Sequence, residues 1–380
     1  MKKIKKWLIL FIIGLVLLLL GVLGSLNPNI SEWMATHINR YYILGVGTLT
    51  SHLPFSLFEW LVIIALIILV IILIRLIILL IKRSFSSFLN TFTTTILAIF
   101  IVVGLYSFVT SPAYSRKESP IPQYEETIDN DNLKTIIVDY IDAFNATARL
   151  VKRDSNGNVD MSAYYTHQEL AEKMIKEYER IDNDYLSSYT PKTKTILNSW
   201  FLSEMHITGI TFSLTGEANV NKAMPAIDMP FTYAHEIAHT KGVMREDEAN
   251  LYALYLCLIS EDNFICYSGL FRAYSHLLSL AYYSFDKETY QEIVSMIDPL
   301  IVNEINNYNR YWQEHNTLER IQKWQNDLYL KINGVKEGVD TYNDHETATD
   351  SGEKREDGTT IYDVIFSRSQ KLLFYIYYCI

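Results

Sequence analysis

Residues 230–250 read PFTYAHEIAHTKGVMREDEAN, and this stretch decides what the rest of the chain has to build. Pro230 to Lys241 carries the signals of one helix. Asp228 is a candidate N-cap, Pro230 falls in the first turn where its missing N–H costs nothing, and Gly242 is the left-handed stop. Residues four apart share a helix face, so His235 and His239 can present two imidazole nitrogens to a single ion at about 2.0–2.1 Å. Glu236 projects to the side of that site. There it can take a proton from a water at the metal and later return it to a leaving amine. The expected ion is Zn2+, which brings the pKa of a bound water to about 7.

Two histidines alone leave a weak, open site, so a third ligand is expected. Arg245 to Asn250 (REDEAN) follows just past the glycine turn. A helix starting there brings its first turn back toward the metal, with Glu246 and Glu248 as carboxylates in reach. The run E-x-x-A-N from Glu246 to Asn250 resembles the E-x-x-A-D glutamate helix of gluzincin metallopeptidases, whose first Glu binds zinc and whose last acid steadies a ligand histidine. That resemblance implies Glu246 as the third ligand, with Glu248 as the fallback. It puts Asn250 in the supporting position, where an amide oxygen orients an imidazole N–H but polarises it less.

The spacing departs from the two familiar patterns. In HExxHxxGxxH enzymes a third histidine stands where this chain has Arg245, and typical gluzincins separate the two helices by a longer insertion. The order LTGEANVN (Leu214 to Asn221), Pro230-Phe231, HEIAH, REDEAN is similar to a bacterial domain-of-unknown-function family of multi-span membrane proteins within the zincin superfamily. The likeness covers Ser199 to Leu258 in detail and the amino-terminal third in general plan. It implies a gluzincin-like fold, zinc, and a peptidase activity. Ile210 to Asn221 stands where zincins place the strand that pairs with an extended substrate, while Glu217 and Asn219 read equally well as turn residues around Gly216.

Outward from this region, 49% of the 380 residues are hydrophobic and the net charge is −10. Phosphate binding needs clustered Lys and Arg, so nucleic acid is excluded as a partner. The apolar residues concentrate in three runs, Trp7 to Leu23, Leu57 to Leu80 and Phe92 to Val109, each expected to cross a lipid bilayer. Lysines precede the first run, and Arg75, Lys82 and Arg83 close the second. The positive-inside rule therefore predicts a multi-pass cell-membrane protein with a cytoplasmic amino terminus and an extracytoplasmic carboxy-terminal part. Ser31 to Tyr42 reads either as a short interfacial helix or as a loop.

The expected architecture is an α-helical membrane anchor of three transmembrane helices over residues 1–112, a linker over 113–132, a mainly helical α+β zincin-like domain over 133–340, and a flexible or atypical tail over 341–380. Leu133 to Val151 has the three-and-four apolar spacing of an amphipathic helix. A second helix is expected from Ser162 to Tyr185, broken by Asp182-Asn183-Asp184. Cys257, Cys266 and Cys379 form no CxxC pair and point to no thiolate site. The expected function is a membrane-anchored zinc metallopeptidase acting on a peptide or protein substrate. The competing reading is a catalytically silent zinc-binding scaffold or sensor. An intramembrane protease would carry HExxH inside an apolar span, which this chain does not.

Overall fold

The computed structural model describes residues 2–181, 190–333, 335 and 346–380. The chain opens with α1 (Lys2–Gly24), continues through short helices α2 (Pro28–Met34) and α3 (Arg40–Thr50) joined by a wider helical turn at Ala35–Asn39, and then forms α4 (Leu57–Ile81) and α5 (Phe85–Tyr114). Helices α1, α4 and α5 are each long and apolar enough to cross a membrane. Of the two readings of Ser31 to Tyr42, the helical one holds.

Helices α1 and α5 run parallel and touch where side chains are smallest. Gly14 faces Phe100 and the close-lying Gly104, and Gly21 faces the backbone of Ser107, so a Cβ at any of these glycines would collide. Small residues let apolar helices approach where no hydrophobic drive separates lipid from protein. The apolar window of α4, in contrast, is not buried at all within the protein.

Helix α5 outlasts the apolar run that announced it. Val109, Ala113 and Tyr114 are buried in a cluster with Ala35, Ile43, Met244 and Leu330, so the boundary expected at residues 112–113 falls inside a helix, with anchor and body sharing a core there.

The body begins with α6 (Asn130–Leu150), which buries Ile136, Ile137, Tyr140, Ile141 and Phe144 as its spacing predicts. A capping box between Thr166 and Glu169 starts α7 (His167–Glu179); the break expected at 182–184 lies outside the described residues. Strand β1 (Lys194–Ile196), helix α8 (Ser199–Glu204), and strands β2 (Gly209–Phe212) and β3 (Glu217–Asn221) follow. The sheet order is β1-β3-β2, with β3 parallel to β1 and antiparallel to β2, pairing Gly209 with Val220 and Phe212 with Glu217. The LTGEANVN segment therefore supplies a turn and the central strand, while β2 is the edge.

Next come α9 (Met229–Thr240), α10 (Glu246–Leu258), α11 (Asn263–Ser284), α12 (Lys287–Ser295), α13 (Pro299–Glu314) and α14 (Glu319–Ile332). The main core is built by α6, α9, α10 and α11.

Of the flexible or atypical tail expected over 341–380, residues 346–380 are among those described, and they are folded. Strands β4 (Thr347–Lys354) and β5 (Thr360–Ile365) form an antiparallel hairpin, and α15 (Arg368–Cys379) starts on a capping box of Ser367 and Gln370. Leu372, Leu373 and Phe374 are fully buried in the main core. A short apolar end that cannot span a bilayer can still complete a core.

Candidate metal centre

Helix α9 ends as a glycine-terminated helix should. Gly242 adopts φ +84°, its N–H donates to the His239 carbonyl at 2.9 Å, and the Val243 N–H donates to the Ala238 carbonyl at 3.1 Å. These are the two bonds of a Schellman ending. The turn also brings the Val243 carbonyl to 2.7 Å from His239 Nδ1. A carbonyl only accepts, so Nδ1 carries a proton, and whenever the ring is neutral its lone pair lies on Nε2.

That lone pair faces the first turn of α10. His239 Nε2 stands 3.0 Å from His235 Nε2 and 3.4 Å from Glu246 Oε2, and His235 Nε2 is 3.1 Å from the same oxygen. Ligand bonds of 2.0–2.1 Å to a tetrahedral ion require ligand atoms about 3.3 Å apart. The trio fits the edges of such a tetrahedron. Its donor set, two imidazoles and a carboxylate, also suits zinc. His235, His239 and Glu246 form the one group of potential metal ligands among the described residues.

Charge in this pocket is mutually dependent. Burial disfavours a charge on His239, yet the Glu246 carboxylate, Glu236 and the Val243 carbonyl push it up to about 9. Burial likewise opposes ionisation of Glu246, but His239 and His235 hold its carboxyl well below the usual range. Burial raises Glu236, against the pull of both histidines and of Thr211.

Glu236 is held by the edge strand. Thr211 Oγ1 donates to Glu236 Oε2 at 2.7 Å and lies 3.0 Å from the Glu236 carbonyl. Gly209 lies so close to the Glu236 side chain that any Cβ there would collide with the carboxylate. The group opens into a cavity of about 870 Å³ lined by β2, the metal trio, Phe58 of α4, Tyr106 and Tyr114 of α5, and part of α14.

The remaining sequence candidates lie elsewhere. Both Glu248 oxygens are occupied by Ser119, whose N–H and hydroxyl each donate at 2.8 Å, so the fallback ligand is not part of the trio. Among the described residues Asn250 makes no hydrogen bond to either imidazole. The Val243 carbonyl orients His239, and His235 Nδ1 is buried without a partner. Asp228 precedes α9 without capping it; its carboxylate instead pairs with Arg272 and accepts from Tyr308 at 3.2 Å.

Sequence reading missed Thr211, Gly209 and the cavity tyrosines. A glycine opening a strand was the only local hint of a close approach. Tyr329 of α14 bonds to the Tyr106 hydroxyl and lies 2.8 Å from the Tyr114 hydroxyl, more than two hundred residues away in the chain.

The features so far define a class: a mainly helical membrane protein with three apolar helices that could span the bilayer, and a small sheet beside a His-His-Glu cluster. The chain belongs to the family described as protein of unknown function (DUF3810), whose model matches residues 35–345. No curated protein and no solved structure matches the chain.

Proposed function

We propose that this protein is a membrane-anchored zinc metallopeptidase that cleaves peptide bonds outside the cytoplasm. The observation that carries this reading is the convergence of His235, His239 and Glu246 at tetrahedral edge distances, with Glu236 beside them. The zincin likeness of HEIAH and REDEAN supports it. So does the position of the basic residues: Lys3, Lys5 and Lys6 open α1, and Lys82 and Arg83 join α4 to α5, both at the span ends opposite the body. By the positive-inside rule those ends are cytoplasmic, which leaves the body outside.

His235, His239 and Glu246 would hold the ion. Bound there, zinc would supply Lewis acidity, making a water acidic near neutral pH and polarising a carbonyl oxygen. Glu236, steadied by the Thr211 hydroxyl, accepts the proton of the attacking water and delivers it to the departing amine. Strand β2 has one free edge beside these groups, and its backbone can pair with an extended polypeptide, which fixes the scissile bond against Glu236.

The test is metal analysis and peptide cleavage by the detergent-solubilised full chain. Wild type and Glu236→Gln are expected to carry about one zinc each, and His239→Ala and Glu246→Ala none. Glu236→Gln should lose about 10²–10⁴-fold in turnover of a peptide library. A wild type without zinc would overturn the metal, and a Glu236→Gln variant with full activity would overturn the role of the glutamate.

A further inference from the structure

We propose, resting on the peptidase reading above, that the cavity opens at the bilayer surface and that its substrate class is the stretch of a membrane-anchored polypeptide emerging just outside the lipid. Helix α5 sets the level of the cavity. At roughly 1.5 Å of rise per residue, a hydrocarbon layer of about 30 Å is crossed between Phe85 and Tyr106 of α5. Phe58, in the first turn of α4, stands at the same level, because its ring and that of Tyr106 both pack on Phe212, at 4.9 and 6.1 Å between centroids. Phe58 and Tyr106 are walls of the cavity that holds the metal trio. The reacting centre therefore lies beside the outer ends of the spans.

Strand β2 gives the substrate a direction. Gly209 and Thr211 both meet the Glu236 side chain, and the next and last residue, Phe212, abuts the two span helices. At about 3.3 Å per residue, one step of the strand separates the residue bonded to Glu236 from the residue packed on the spans. An extended chain paired along it runs from the catalytic glutamate to the lipid surface, as the segment next to a transmembrane anchor would.

Two exposed apolar patches lie at that level. On α14, Ile321, Trp324, Leu328 and Ile332 are exposed by 53%, 66%, 46% and 74%, and they recur at three- and four-residue steps along one stripe. Another face of the same helix lines the cavity through Gln322, Asn326 and Tyr329, and Tyr329 bonds to α5. Asn333, just past α14, accepts from Ser111 of α5 at 3.0 Å. An amphipathic helix tied to a span end in this way is built to lie in the lipid surface. Around α8, Leu197, Trp200 and Phe201 are also exposed, and the Leu197 N–H donates to Glu59 in the first turn of α4 at 2.9 Å.

The experiment uses the full chain loaded with zinc in nanodiscs of three parts phosphatidylcholine to one part phosphatidylglycerol. A randomised ten-residue segment is offered as free peptide, fused directly outside a single apolar span, and fused to the same span through a long flexible spacer. The directly fused form should be cut at least tenfold faster than the spaced form, which matches it in membrane concentration. Equal or faster cutting of the spaced or free form overturns this inference and leaves the peptidase reading standing. Cutting of none overturns that reading, and this inference with it. A nitroxide at Trp324→Cys, with Cys379 replaced by serine, should collide with oxygen more and with aqueous nickel less than one at Arg320→Cys. Equal nickel access at both would remove the lipid contact of α14.

Discussion

Two places in this protein bury carboxylates to a similar depth, and they differ in how their hydrogen bonds close. At the amino-terminal end of α4, Glu217 accepts from the Leu57 and Phe58 N–H groups at 3.0 and 2.8 Å and from Lys194 Nζ at 2.5 Å. Lys194 also donates to the carbonyls of Thr50 and Phe55, while Glu59 returns the clasp by accepting from Leu197 and Asn198, both at 2.9 Å. Every charge there has protein partners of the right kind. At the candidate metal centre, Glu246 and two imidazole nitrogens crowd round one point, and a neutral His239 spends its one proton on Val243. Depth of burial does not separate the two. A closed set of donors and acceptors is a joint between α4 and the sheet, and acceptors aimed at a common centre mark a candidate ligand set.

The largest effect is expected from breaking the joint. Lys194→Met leaves Glu217 buried, with side-chain exposure of 1%, and without its counter-charge. Such a loss costs about 3–5 kcal/mol, and removing the second charge as well restores part of it. Thermal unfolding of the solubilised chain should therefore show a marked fall in midpoint for Lys194→Met and a smaller one for Lys194→Met with Glu217→Gln. An unchanged midpoint in the single variant would show that the clasp bears no load.

A finer contrast lies within one helical turn. Glu246 and Glu248 are two residues apart, yet the first faces the imidazoles and the second is filled by Ser119. Glu248→Ala removes hydrogen bonds to a charged group, worth about 1.5–3 kcal/mol, and should lower stability while zinc content stays at wild-type level. Zinc lost from Glu248→Ala but kept by Glu246→Ala would exchange the two roles.

What could be read from the sequence was local. The helix holding HEIAH, its glycine ending and the return of Glu246 follow from i,i+4 geometry and a short turn, and the three spans follow from runs that lipid alone requires. The joint was illegible because Glu217 meets Leu57 across 160 residues. Asp228 shows the same limit from the other side: it sits at the position of a helix cap, but a buried pairing with Arg272, 44 residues on, took its carboxylate. Polar composition over residues 342–360 suggested a tail because β4 is largely exposed, while β5 is half-buried and leads α15 back into the core.

The smallest effect should come from the edge strand, and it probes whether the metal centre depends on a neighbour as the joint does. Thr211→Val keeps the β-branched shape of a strand residue but removes the hydroxyl that donates to Glu236 Oε2. No ligand is touched, so zinc content should not change. Glu236 would lose one charge-assisted hydrogen bond and some of its fixed orientation. A fall of about tenfold in kcat corresponds to about 1.4 kcal/mol of barrier, and it should come with an unchanged KM, since under the proposed function the substrate would pair with the backbone of β2 rather than with this side chain. Thr211→Ser keeps the donor and should restore most of the rate. If serine and valine variants are equally slow, the threonine acts through strand packing, and Glu236 is positioned by the metal trio and Gly209 alone.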